Sequence, residues 1–147
     1  MKIAIVGASK LTENWERDAR QICAYIIQHQ KYSPIPHCVI SGGADGVDTI
    51  AIEIAKALGL ETKEYLPEIA HWETINGKHG YKARNLQIVE ACDMLYCIAV
   101  PFSKVECYHH LVEPYIKHEV TAGCWTMKQA VKANKETKFF VTTDRRE

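Results

Sequence analysis

A mainly parallel β-sheet covered by helices on both faces is the architecture that this 147-residue sequence predicts. Three observations carry that expectation. Short β-branched runs such as "IAIV" and "CVI" are apolar throughout instead of alternating, the pattern of strands buried on both sides. Between them, apolar residues recur at intervals of three and four, as on one face of a helix. Small-residue turns close the runs, and strands that alternate with helices join through right-handed crossovers into a parallel sheet.

"KIAIVGAS" is the first strand. From Glu13 to Gln30 the residues Trp15, Ala19, Ile22, Cys23, Ile26 and Ile27 make one buried helical stripe, and "SPIP" then breaks the chain. "HCVIS" is the second strand. It leads into a helix with the stripe Val47, Ile50, Ala51, Ile54 and Leu58, stopped at Gly59. "ETKEYLP" reads as the third strand and "EIAHWETINGKHGY" as polar and irregular. "KARNLQIVEACD" follows as a helix with Ala83, Leu86 and Val89 inward, and "MLYCIAV" is the fourth strand. A long loop from Phe102 to Thr121 precedes a helix starting near Cys124 and ending at Ala133, and "TKFFVTT" is the fifth strand. Together these give an α/β, Rossmann-like three-layer sandwich with a mainly parallel sheet of about five strands, filling residues 1–147 as a single domain.

At 47% hydrophobic and 24% charged residues, the chain has enough apolar material for one real core. Lys+Arg and Asp+Glu are both 18, so the net charge is +0 and no basic excess marks a nucleic-acid partner. Six Cys without a close-paired framework, and a start that goes directly into "KIAIVG", point to a reducing cytoplasm. No apolar run approaches a membrane-spanning length, so no membrane partner is expected.

In an open α/β sheet, ligands bind at the carboxyl ends of the strands. The small-residue turns fall there: "GASK" with Gly7, Ser9 and Lys10; "SGGADG" with Ser41, Gly42, Gly43 and Ala44; and "TAGCWT" with Thr121, Gly123, Cys124 and Trp125. Glycine lets the backbone approach a ligand, and amides at a helix start carry partial positive charge, so these turns suit a phosphate. Such turns also serve chain reversal alone. Asp48 reads first as a group that caps a helix or fixes a loop, which leaves the amides of Gly42, Gly43 and Ala44 as the phosphate donors. Arg84 presents a planar fork to an anion, or else pairs with Glu90 or Asp93 on the surface; Asn85 beside it suits a ribose or base. Trp125 stacks on a base or packs in the core, and Trp72 sits in a polar loop that reads as part of a lid.

The ordered motifs "VGASK", "ISGGADGVDTIA", "ARN" before "ACDMLYCIA", and "TAGCWTMKQAVKANK" resemble the SLOG superfamily of Rossmann-like nucleotide-binding domains. The resemblance spans almost the whole chain. It is nearest to the YspA-like branch, and more remote from the LOG phosphoribohydrolases and DNA-processing protein A. It implies a pocket for a nucleotide or nucleotide-derived ligand, and a homo-oligomer by family habit. Arg84 is similar to the arginine that LOG enzymes place one helix before the last glycine turn. LOG enzymes carry Gly-Gly-x-Gly-Thr and then a catalytic glutamate. Here Ala122 and Gly123 stand for the glycine pair, Cys124 replaces Thr, and no carboxylate follows until Glu136.

Cys107, His109, His110, His118 and Cys124 fall within eighteen residues and are zinc-capable types, but the spacing fits no standard finger or ribbon. The plainer expectation is a loop that faces substrate or partner and covers the pocket, with no metal and no cofactor. The functional expectation is a protein that senses or sequesters a nucleotide-derived ligand. The alternative is a nucleotide N-glycosidic-bond hydrolase using Asp48, Glu113 or Glu119 as its carboxylate. Single-stranded DNA binding ranks last, for want of a basic stripe.

Overall fold

Ile3, Ala4, Ile5 and Val6 are buried on both sides, so the strand they form, β1 (Lys2–Gly7), lies at the centre of the sheet. The structure is a computed structural model that describes residues 1–31, 37–102, 105–107 and 116–143. In chain order the elements after β1 are α1 (Glu13–Lys31), β2 (Cys38–Ser41), α2 (Val47–Ala57), β3 (Glu61–Glu64), α3 (Tyr81–Ala91), β4 (Met94–Ala99), α4 (Ala122–Lys132) and β5 (Glu136–Val141). The strands form one sheet in the order β3-β2-β1-β4-β5. Every pairing is parallel, with Ala4 opposite Ile40 on one side and Leu95 on the other.

Alternation along the strands divides the core into two layers. Ile3, Ile5, Val39, Tyr96 and Ile98 face Ala19, Cys23, Ile26 and Ile27 of α1 and Val47, Ile50 and Ala51 of α2. Ala4, Val6, Ile40, Leu95 and Cys97 face Ile88 and Val89 of α3 and Met127 and Ala130 of α4. Each large aliphatic side chain buried this way contributes about 1.5–3 kcal/mol of transfer free energy. The edge strand β3 is rich in charge, with Glu61, Lys63 and Glu64, which discourages edge-to-edge pairing.

α3 differs from its sequence expectation. Leu86 is 43% exposed, whereas the inward positions are Arg84, Asn85, Ile88 and Val89. The apolar residues of α3 mark no single stripe. Its orientation is set by what the polar pair Arg84 and Asn85 reach at the carboxyl edge of the sheet.

Candidate functional site

The chain leaves β1 toward β2 and β3, then returns across the sheet to β4, so β1 and β4 are neighbours whose following segments diverge. That is the topological switch point, where an α/β sheet opens a crevice at its carboxyl edge. A cavity of about 600 Å³ occupies it. Its wall includes Gly7, Ser9 and Lys10 after β1, Gly42, Gly43, Ala44 and Asp48 after β2, Arg84 and Asn85 of α3, and Thr121 and Gly123 at the start of α4. Its size lies within the range of small-ligand sites, about 300–1,000 Å³.

Two buried charges hold the middle turn. Asp48, 6% exposed, accepts the Gly42 amide at 3.2 Å through Oδ2. The guanidinium of Arg84, 7% exposed, donates through Nη1 to the Gly42 carbonyl and to the Tyr65 carbonyl at 3.4 Å, and through Nε to Asn85 Oδ1 at 2.7 Å. Glycine is required between them: a Cβ at Gly42 would lie 2.8 Å from both Arg84 Nη1 and Asp48 Oδ2. Burial lifts the Asp48 carboxyl to about 7; the charge of Arg84 and the amides of Gly42, Ala44 and Gly7 oppose that rise. Burial likewise pushes Arg84 down from its usual value, against the pull of Asp48.

This arrangement alters the roles read from sequence. The Gly42 and Ala44 amides, expected as phosphate donors, are engaged by Asp48, which acts as the loop-fixing group. Arg84 is tied to backbone carbonyls, not to Glu90 or Asp93. The exposed cation on the cavity wall is Lys10, and the first turn of α4 lies on the same wall. There Thr121 caps the helix by accepting the Cys124 amide at 3.4 Å, and Ala122 and Gly123 bring the first turn to the cavity. Gly123 packs so tightly on β1 that a Cβ on it would lie 2.9 Å from Gly7 Cα.

Three expected site residues do not line the cavity. Ser41 is fully buried and donates to the Ile5 carbonyl at 2.8 Å. Cys124, in the first turn of α4, is also fully buried. A hydrogen bond with Cys97 draws its thiol down to about 5 and holds Cys97 well above its usual value. Trp125 meets Trp72 edge-on, with centroids 4.9 Å apart, and it is Trp72 that lines the cavity. Of the candidate carboxylates, Asp48 and Glu119 both line the cavity wall. Glu113, His109 and His110 lie outside the described residues, as does much of the expected lid. Sequence reading missed Tyr81, Leu66 and Val120 on the wall. The Tyr81 ring lies 5.4 Å from the Arg84 guanidinium, and its place three residues earlier on the same helix was the available signal.

No protein-family model and no curated protein matches the chain. Solved structures do. TM1055 aligns with a TM-score of 0.62 at 15% identity over 92% of this chain and 71% of its own. The molybdenum cofactor carrier protein of Chlamydomonas reinhardtii aligns at 0.60 and 18% identity over 94% of this chain and 74% of its own. DNA processing protein A of Helicobacter pylori, studied for its single-stranded DNA binding mode, aligns at 0.55 and 17% identity over 99% of this chain and 66% of its own. Among the described residues no helix is long and apolar enough to cross a membrane. In its backbone, this chain shares the Rossmann-like α/β fold of TM1055, the molybdenum cofactor carrier protein and DNA processing protein A.

Proposed function

We propose that the chain binds a nucleotide or nucleotide-derived ligand in the cavity at the carboxyl edge of the sheet and holds it as a sensor or sequestering protein. The observation that carries this reading is the convergence of three strand-to-helix turns on one cavity of about 600 Å³ at the switch point. Lys10 and the first turn of α4 supply the anion-binding character. Trp72 and Tyr81 supply aromatic wall for a base. Arg84 and Asp48 set the middle turn between them. The similarity to a molybdenum cofactor carrier supports holding a ligand as a use of this scaffold.

A second reading has a specific observation behind it. Asp48 lines the cavity with a carboxyl lifted to about 7, the poise of a group that exchanges protons near neutral pH. In an N-glycosidic-bond hydrolase it would be the acid–base carboxylate.

One experiment separates the readings. Thermal shifts are measured for wild type, Lys10→Ala and Arg84→Ala with mono-, di- and cyclic nucleotides, NAD, ADP-ribose and a single-stranded oligonucleotide, and each sample is then assayed for free base. A ligand at a hundred times its Kd adds ~2.7 kcal/mol, a shift of several degrees. A nucleotide that stabilises wild type, stabilises Lys10→Ala less and stays intact upholds binding. Release of base that Asp48→Asn abolishes establishes the hydrolase. A response to the oligonucleotide alone, or to nothing, sinks both.

A further inference from the structure

We propose that Cys107, His118 and Cys124 form a binding site for a thiophilic divalent cation, zinc first, which clips the segment before α4 onto the body of the domain. This site is separate from the nucleotide cavity and does not rest on the reading given to it.

The three residues are buried, and one ligand atom from each lies within 4.8 Å of the others. Donors around tetrahedral zinc, with bonds of about 2.0–2.3 Å, sit roughly 3.5–3.8 Å apart, so a shift of about 1 Å closes the set. Two thiolates and an imidazole are donors that select zinc over magnesium or calcium. The histidine is prepared for the role. Its Nδ1 lies 2.6 Å from the Ile116 carbonyl; because a carbonyl only accepts, Nδ1 carries the proton and Nε2 the lone pair. Metal-ligating histidines are oriented in this way by a backbone carbonyl.

The fold also explains why the spacing resembles no standard finger. Glu106 and Glu119 form an isolated antiparallel bridge, and the Cys107 amide donates to the His118 carbonyl at 2.9 Å. That pairing sets Cys107 and His118 side by side although eleven positions separate them in sequence. The Thr121 cap then turns the chain into α4 and places Cys124 in its first turn, Sγ 3.9 Å from the Glu119 carbonyl. The donors thus come from a bridge and a helix start, two elements that only the folded chain brings together. The fourth coordination position falls to a group outside these three. Since Glu119, Val120 and Thr121 line the cavity, a metal bound here fixes one of its walls.

The test uses the full chain, purified with reductant and without chelator. Elemental analysis is expected to find one zinc per chain. After chelator treatment, cobalt titration is expected to saturate at one equivalent, with thiolate-to-cobalt charge-transfer bands and intense d–d bands of a tetrahedral site, and zinc is expected to displace it. Cys107→Ser and His118→Ala should each lose the bands, and Cys38→Ser, on β2 outside the cluster, should keep them. The wild-type titration needs no variant to fold. Absence of both bound zinc and cobalt bands in wild type overturns the site, as does full metal binding by Cys107→Ser, or a Cys107–Cys124 disulfide in metal-free native protein.

Discussion

Asp48 and Arg84 close on Gly42 from two sides, one accepting its amide at 3.2 Å and the other donating to its carbonyl. Asp48 and Arg84, both nearly out of solvent, thereby hold the two peptide groups that flank Gly42 on the wall of the cavity. Each charge offsets part of the cost of burying the other, and for Asp48 burial outweighs that offset and raises its carboxyl to about 7.

Gly42→Ala tests that clamp directly. The added methyl, 2.8 Å from both charged groups, forces them apart. The expected cost is about 1–3 kcal/mol, read as a Tm lower by several degrees in a melt followed by circular dichroism. An unchanged Tm would show that the clamp yields without cost.

Asp48 predicts a pH dependence of defined sign. Its carboxyl is raised from 3.8 to about 7 in the folded chain, so the folded state binds the proton more tightly than the unfolded one. Stability contributed by this group is complete at the acid end and is lost as pH rises through that window, by a few kcal/mol in all. Urea unfolding between pH 4 and pH 8 should therefore give a wild-type minus Asp48→Asn difference that becomes less favourable to wild type with rising pH. A flat difference would remove the raised carboxyl.

Trp72 should report on the cavity. It lines the wall and meets Trp125 edge-on, so a ligand that enters must change the surroundings of the pair. Tryptophan emission is expected to shift on adding the stabilising nucleotide, and Trp72→Phe should abolish most of that change. Persistence of the full change in the variant would place the ligand elsewhere.

Lys135 should act as a remote cap. Its ammonium donates to the Cys92 carbonyl at 2.7 Å and the Glu90 carbonyl at 3.3 Å, satisfying the end of α3 from the residue that precedes β5. Lys135→Met should cost ~1 kcal/mol in a denaturant melt, with no effect on ligand response.

The periodicities of the chain carried the architecture. Continuous apolar runs at Ile3–Val6 and Met94–Val100, and the stripe through Ala19, Cys23 and Ile26, record which side chains leave water, and that is a local property. The glycine turns at the strand ends were legible for the same reason, since sterics near Gly42 and Gly123 are written into residue type. Three things were decided only by folding: the strand order that brings β1 beside β4, the turning of α3 that buries Arg84 while exposing Leu86, and the meeting of Cys107, His118 and Cys124. Each depends on pairings between segments distant in sequence, where crossover handedness, a buried charge's need for a partner, and one bridge in a loop choose among arrangements that local pattern leaves equal.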